Sequence, residues 1–350
     1  MAVTARTSWL EPRPGGLHCI PGDFYIDPVR SAERAVITHG HGDHARPGNH
    51  HVLATHETIA IAEARYGSRA GRSFQRVRYG ETTRMGDVSI RLVSAGHVLG
   101  SAQVVLEHQG QRIVVSGDYK RSRDPTCAPF EVVTCDIFIT EATFGLPVFR
   151  HPVAADEIAR LLASVAATPD RCHLVGVYAL GKAQRVIALL REAGYTDTIY
   201  LHGALQKLCA LYQRLGVDLG DLALVEGLPK QALTGRIVMC PPSSLADRWA
   251  RRMPDPVTAV ASGWMRVRAR AKQRGAELPL IISDHADWDE LTATIREVEA
   301  GEIWVTHGRE DALVHYARSI GREARALSLV GRDDEDDQDM EGIGAAVAGD

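Results

Sequence analysis

The run His39-Gly40-His41-Gly42-Asp43-His44 constrains this chain more than any other stretch of it. It sets four potential metal ligands directly behind the apolar segment Val36-Ile37-Thr38, which reads as the end of a strand. In extended chain, residues two apart point the same way. His39 and His41 can therefore present both rings to one ion, while Asp43 and His44, on the following turn, can reach a second. The glycines between the ligands leave room for metal and solvent. Imidazole together with carboxylate suits zinc and, less selectively, manganese, iron or cobalt.

Four donors do not complete two sites, so more are expected at other strand ends. His97 follows the apolar run 88–94, within Gly96-His97-Val98-Leu99-Gly100. Asp118 follows Ile113-Val114-Val115-Ser116-Gly117, a place from which a carboxylate can bridge two cations, and His307 closes Ile303-Trp304-Val305-Thr306.

The order of elements predicts an α/β chain. Short apolar runs at 35–38, 88–93, 101–107 and 112–115 make residues 35–140 strand-rich, with a hairpin turning at His108-Gln109-Gly110 and one helix at 58–66. From Val153 the pattern changes to a helix at 154–167, a buried strand at 172–178 and a helix at 182–193, a small α/β unit of its own. After the Arg-rich stretch 264–274 come a strand at 278–282, a helix at 287–298, a strand at 302–306 and a helix at 311–324. Boundaries are expected near 145–153 and 264–277.

Composition narrows the class further. With 350 residues, 45% of them hydrophobic, the chain can bury one large core or two moderate ones. It has no apolar run of about 18 residues and no secretory signal at its start, so no membrane association and a cytoplasmic location are expected. Six scattered cysteines without a CxxC pair argue against a disulfide framework or a zinc knuckle. The net charge of −4 becomes +3 over residues 1–330 once the tail's −7 is set aside, since residues 331–350 hold eight acids against Arg332. That tail is expected to be disordered.

On these residues the chain resembles the metallo-β-lactamase fold superfamily, an αββα sandwich that gathers such ligands along one sheet edge. The resemblance implies that His39, His41 and His97 hold one zinc, that Asp43, His44 and His307 hold the other, and that Asp118 bridges them. Asp27, in Phe24-Tyr25-Ile26-Asp27-Pro28, matches the superfamily's early aspartate and would support the ligand loop from behind.

Three further features match the nucleic-acid-processing branch that carries the β-CASP insertion, which includes Artemis and ribonuclease J. They are Ser283-Asp284-His285-Ala286-Asp287, Thr140-Glu141-Ala142-Thr143-Phe144-Gly145, and the α/β unit with Tyr178-Ala179-Leu180-Gly181-Lys182-Ala183-Gln184 at a strand-to-helix junction. The implied plan is a metallo-β-lactamase domain at 1–150 and 271–330 around an insertion at 151–270, with the acidic tail at 331–350. The implied catalytic set is Asp43, Asp118, Glu141 and His285. Glu141 would hydrogen-bond and orient His285, which serves the leaving oxygen after hydroxide held by two Zn2+ (or Mn2+) attacks phosphorus.

Substrate contacts are expected from Gly181 and Lys182, as a phosphate seat of unoccupied backbone N–H groups plus one cation. Ser262 with Trp264 would supply a hydroxyl and a stacking ring, and Ser283 lies in the His285 motif. Arg266, Arg268, Arg270, Lys272 and Arg274, with Lys120, Arg121 and Arg123, offer cations to a phosphate backbone. The other nine histidines, His202 among them, read as structural or surface residues.

Within the branch, His18-Cys19-Ile20-Pro21-Gly22-Asp23, Gly117-Asp118-Tyr119-Lys120 and Glu141-Ala142-Thr143-Phe144-Gly145-Leu146-Pro147 are similar to the bacterial DNA ligase-associated exonucleases. That resemblance implies a metal-dependent DNA exonuclease of repair or end processing. DNA is favoured over RNA, and a DNA ligase and other repair proteins are the partners it suggests. A histidine at 307, as in the RNA-cutting members, keeps an RNA-processing nuclease open. A catalytically dead scaffold subunit and an acyl hydrolase are less well matched, because every ligand position and the His285 motif are filled.

Overall fold

A computed structural model of the chain describes residues 9–327; the acidic segment 331–350 lies outside the described residues. The first sheet forms in chain order from β1 (Leu10–Arg13), β2 (Gly16–Cys19), β3 (Phe24–Ile26), β4 (Arg34–Val36), β5 (His51–Thr55) and β6 (Ser73–Val77). It is antiparallel up to β3 and parallel beyond. Helix α1 (His56–Tyr66) starts two residues before the expected 58, because the Thr55 hydroxyl caps it by accepting from the Thr58 N–H.

The second sheet begins with β7 (Thr82–Met85), β8 (Val88–Ser94), β9 (Ala102–His108), β10 (Gln111–Val115) and β11 (Ile137–Ala142). The β9–β10 hairpin turns at Gln109 and Gly110, at φ 48° and 77°. Two successive left-handed residues make the turn whose twist matches the flanking strands.

The chain then builds a third, separate sheet. Helix α2 (Ala154–Ala167) leads to β12 (His173–Gly176), α3 (Lys182–Glu192), β13 (Ile199–Leu201), α4 (Gly203–Arg214), β14 (Leu222–Leu224), β15 (Ile237–Cys240), β16 (Val257–Ala261), α5 (Arg268–Gln273) and β17 (Leu278–Leu280). All its strand pairs are parallel, in the order β14-β13-β15-β12-β16-β17. Its short apolar strands are covered on both faces. Val175, Met239 and Ala259 meet α2, α3 and α4 on one side, while Leu174, Val238 and Cys240 meet Leu233, Ala250 and Met253 on the other.

The last elements, α6 (Trp288–Glu297), β18 (Glu302–Gly308), α7 (Glu310–Ser319) and β19 (Glu323–Ala326), return to the second sheet, whose order is β19-β18-β11-β10-β9-β8-β7. The helix expected over 311–324 is corrected here. It stops at Ser319 because Gly321 takes φ 81°, and residues 323–326 pair with β18 as an edge strand.

One core joins the first two sheets. Leu17, Ile26, Val36 and Leu53 of the first pack with Ile90, Leu92, Val104, Leu106, Ile113 and Ile139 of the second. Each such side chain contributes about 1.5–3 kcal/mol by leaving water. The outer face of the first sheet is covered by Ile59 and Ala62 of α1. The outer face of the second is covered by Leu291 and Ile295 of α6 and Leu313 and Ala317 of α7. The layers therefore run helix, sheet, sheet, helix. No helix among the described residues is long and apolar enough to cross a membrane.

Candidate metal centre

The ligand loop is fixed where it leaves β4. Asp27, buried and left-handed at φ 44°, accepts the Thr38 N–H at 2.8 Å through Oδ1 and the Thr38 hydroxyl at 2.7 Å through Oδ2. The Thr38 carbonyl in turn accepts the Ala102 N–H at 2.8 Å, which ties the loop to the second sheet. The loop then lies so close to α1 that a Cβ at Gly40 would stand 2.5 Å from Ile61 Cγ2.

The rings converge as a result. His41 Nδ1 lies 3.1 Å from His39 Nε2 and 3.0 Å from His97 Nε2, and Asp118 Oδ2 lies 3.4 Å from His39 Nε2. His44 Nε2 stands 3.2 Å from Asp43 Oδ2 and 3.3 Å from the same Asp118 Oδ2. His39, His41, His97 and Asp118 form one group of mutually close donor atoms, and Asp43, His44 and His307 a second; all are buried. A tetrahedral site with zinc–nitrogen bonds of 2.0–2.1 Å needs ligand atoms about 3.3 Å apart, so these spacings fit a metal ion.

The outward-facing nitrogens reinforce that fit. His41 Nε2 donates to the Leu180 carbonyl at 3.3 Å and His97 Nδ1 to the Asp284 carbonyl at 2.9 Å. His44 Nδ1 donates to Asp27 Oδ2 at 2.8 Å, and His39 Nδ1 lies 3.0 Å from the Thr38 hydroxyl, whose own proton goes to Asp27. Each of these contacts puts the ring proton outside and leaves the bare nitrogen facing the cluster. His44 Nε2 is buried and makes no hydrogen bond despite the two carboxylate oxygens beside it.

Without metal the cluster divides its charge unevenly. Burial, and then the charge on His44, hold His39 well below the usual imidazole range; burial, and then His285 and His41, bring His97 down to about 3. Burial would also lower His44, but Asp118, Asp43 and Asp27 outweigh it and raise the ring well above that range. Asp118 and Asp43 would be raised by burial, yet His44 and His307 hold them well below the ordinary carboxylate value. Neutral His39 and His97 and ionised Asp118 and Asp43 are in the form that a divalent cation binds, and a cation at His44 would take the place of the proton that this ring holds in the metal-free cluster.

A bulge brings the last ligand in. β11 and β18 are in register at Thr140–Val305 and again at Ala142–Gly308, so Thr306 and His307 together oppose Glu141. His307 absorbs the extra residue with φ 63°, which aims its ring toward Asp43 and His44. Across the bulge, Glu141 Oε1 accepts the Tyr119 N–H at 2.8 Å and Oε2 accepts from His285 Nδ1 at 3.0 Å. The His285 ring lies 4.6 Å from that of His97, so a carboxylate-oriented imidazole adjoins the first ligand group.

The expected substrate contacts stand differently. The phosphate seat at Gly181–Lys182 is corrected, because the protein fills it. The Gly181 N–H is taken by Gln184 Oε1 at 2.8 Å, the Lys182 and Ala183 N–H groups by the Leu180 and Tyr178 carbonyls, and buried Lys182 Nζ lies 2.9 Å from Asp284 Oδ1. Ser283 bonds within its own turn, to the N–H and carbonyl of His285. Ser262 caps the 3-10 turn Gly263–Arg266. Trp264 is packed among Phe144, Phe149 and Met265 under Arg270, whose guanidinium sits 3.9 Å above its ring, so it offers no stacking face of its own.

Lys120, Arg121 and Arg123 pair with Glu290, Glu297 and Glu192. Arg266, Arg268 and Lys272 are exposed. Sequence reasoning missed the Leu180 and Asp284 carbonyls, which belong to no side chain, and Arg185. That residue is buried within α3 and donates to the Ser283 carbonyl; a charged residue in the middle of an apolar helix face was its only signal.

No protein-family model matches the chain. A relative from Opitutus terrae described as a probable DNA ligase is 28% identical over 322 residues, covering 89% of this chain and 30% of the relative. Endoribonuclease ysh1 of Aspergillus fumigatus is 28% identical over 241 residues, 58% of this chain and 27% of its own. Subunit 3 of the cleavage and polyadenylation specificity factor of Dictyostelium discoideum is 32% identical over 146 residues, 39% of this chain and 18% of its own. The chain thus spans less than a third of each of these curated relatives. It is also similar in fold, at a TM-score of 0.57 and 14% identity over 85% of this chain and 80% of the other, to a crystal structure of a protein of unknown function from Enterococcus faecalis.

Proposed function

From its relationship to the β-CASP metallo-β-lactamase nucleases, which its endoribonuclease relatives bear out, we propose that this chain is a metal-dependent DNA exonuclease acting in repair or end processing. The observation that carries this reading is the pair of buried ligand groups sharing Asp118 Oδ2, next to a His285 ring held by Glu141.

His39, His41 and His97 would hold one Zn2+, Asp43, His44 and His307 the other, and Asp118 both; Mn2+ suits the same donors. Bound there, the ions would make water acidic enough to act as nucleophile at neutral pH and offset charge on the phosphoryl group. Glu141 keeps the His285 Nδ1 proton in place, leaving Nε2 to pass a proton to the departing oxygen. Ser262, Ser283 and the exposed Arg266, Arg268 and Lys272 remain proposed contacts for the strand.

The helix–sheet–sheet–helix layering supports reading residues 1–150 and the return segment as a metallo-β-lactamase sandwich. The proposed β-CASP insertion is residues 151–270, and the pairing of β17 with β16 supports counting Leu278–Leu280 with it. DNA is favoured because the relative aligned over most of this chain is described as a probable DNA ligase, whereas the ysh1 relative aligns over 58%. A DNA ligase and other repair proteins are the partners this suggests.

The test is digestion of matched end-labelled single-stranded DNA and RNA with zinc or manganese, with Asp118→Ala as control. Stepwise shortening of DNA, lost in the control, is expected. Cleavage confined to RNA would favour the second reading, an RNA-processing nuclease, to which the endoribonuclease relatives point. Undiminished activity in Asp118→Ala would overturn the metal assignment.

A further inference from the structure

A second crevice opens on the edge of the third sheet that also faces the metal centre. It encloses about 600 Å³ between the residues that follow β13, β14 and β15, with His202, Glu226, Lys230, Trp249 and Arg252 in its wall. The topology explains why a crevice forms there. β13 continues through α4 toward the sheet margin at β14, on the face where α4 packs, whereas its neighbour β15 continues toward β16 through Ala250 and Met253 on the opposite face. Connections that part on either side of two adjacent parallel strands leave a gap beyond their carboxyl ends, where open parallel sheets take their ligands.

The chemistry of the wall is specific. Trp249 is half-buried and meets the His202 ring edge-on at 4.6 Å; that ring is itself fixed, its Nδ1 accepting the Ala204 N–H at 3.0 Å. Lys230 and Arg252 share the wall with this aromatic pair, both exposed and neither with a carboxylate at ion-pair distance among the described residues. Lys120, Arg121 and Arg123 near the metal ligands are, by contrast, paired. Glu226 is the one acid in the wall.

The crevice also lies in line with the metal centre. The chain leaving β12 supplies the Leu180 carbonyl to His41, and β13 stands two strands from β12, about 10 Å along the same edge.

We propose that this crevice is a nucleotide subsite, in which Trp249 and His202 receive a base and Arg252 and Lys230 its phosphates, for a strand whose scissile bond lies at the metal centre. The assignment deepens the nuclease reading and rests on it for the identity of the strand. A free mononucleotide shares this chemistry, and the two sources are separable.

The experiment uses the full, metal-loaded chain and follows the anisotropy of a labelled single strand of roughly 15 nucleotides with non-hydrolysable linkages, with a mononucleotide as competitor. Trp249→Ala should weaken strand binding about 5- to 100-fold. Lys230→Ala with Arg252→Ala should lower the slope of log affinity against log salt by about 1.4. Both variants should turn over a small chromogenic phosphodiester at the wild-type rate. Unchanged strand affinity and salt slope would overturn the subsite. If Trp249→Ala fails to fold, the double variant at Lys230 and Arg252 decides. Mononucleotide binding that depends on Trp249, without strand binding by the wild type, would retain the nucleotide site and remove the strand; no binding of either would sink both readings.

Discussion

Asp27 offers the sharpest separation between holding the fold and holding the metal. Its carboxylate serves three buried donors, the Thr38 N–H, the Thr38 hydroxyl and His44 Nδ1. Alanine would leave all three without an acceptor, at about 1–3 kcal/mol each. It would also sit at a left-handed φ of 44° that costs a non-glycine residue about 1–2 kcal/mol. The total is on the order of 5 kcal/mol, which rivals the whole stability of a domain, so Asp27→Ala is expected to fold poorly. Asparagine avoids the backbone cost, since it tolerates the left-handed region, and it keeps a carbonyl oxygen for Thr38.

What asparagine changes is the group facing His44. An amide NH2 there must donate to Nδ1, which moves the ring proton to Nε2, the atom that faces Asp43 and Asp118. Asp27→Asn is therefore expected to lose about 1–3 kcal/mol in the metal-free protein and about 10- to 100-fold in affinity for one of the two proposed ions. Thermal melts in EDTA measure the first quantity, and competition with a chromophoric chelator, with total metal counted, measures the second. If Asp27→Asn bound both ions with wild-type affinity, the tautomer argument would fail.

The metal-free protein should be most stable near pH 6.5. His39 and His97 stay neutral in the fold, so below that pH only the unfolded chain takes up their protons, and stability falls toward pH 3. His44 is raised, so above pH 6.5 the fold alone holds its proton, and stability falls again as pH rises through the folded value. Each group contributes a slope of about 1.4 kcal/mol per pH unit, so the acid limb should be the steeper; urea melts in EDTA that lacked this maximum would refute the charge assignment. Lys182→Met should destabilise by about 3–5 kcal/mol because it strands the Asp284 carboxylate, while Lys182→Arg should retain most of the stability. If Lys182→Met instead left the melting temperature unchanged and raised KM, Lys182 would be a substrate contact after all.

Much of this was legible in the sequence because the ligands cluster locally and follow apolar runs. The extended stretch at 39–41 does bring two rings together, and the strand ends at His97 and Asp118 deliver their donors to the same place. Element types were readable wherever a period of two or of 3.6 was unbroken, as in α2, which spans the expected residues. The misses have physical causes. In the helix expected to reach 324, Gly321 ended the turn and an edge strand competed for the same residues. At Gly181–Lys182, local sequence displays the lysine, the N–H groups and Gln184, but not that the Gln184 side chain folds back onto the Gly181 N–H or that Asp284, about a hundred residues on, takes the lysine. The bulge that turns His307 inward depends on register with β11, more than 160 residues earlier, and no local pattern records it.

The carbonyls of Leu180 and Asp284, which anchor His41 and His97, give the third sheet a stake in metal occupancy. Binding of an ion and seating of that sheet are then two sides of one equilibrium, and each strengthens the other by the same amount. At a thousandfold excess of metal over its dissociation constant, about 4 kcal/mol flows into that shared equilibrium. Scarcity of metal would therefore act mechanically as well as chemically, loosening the third sheet against the ligand loop. Protease nicking at the segments entering and leaving the third sheet should rise in chelator and fall when zinc is restored.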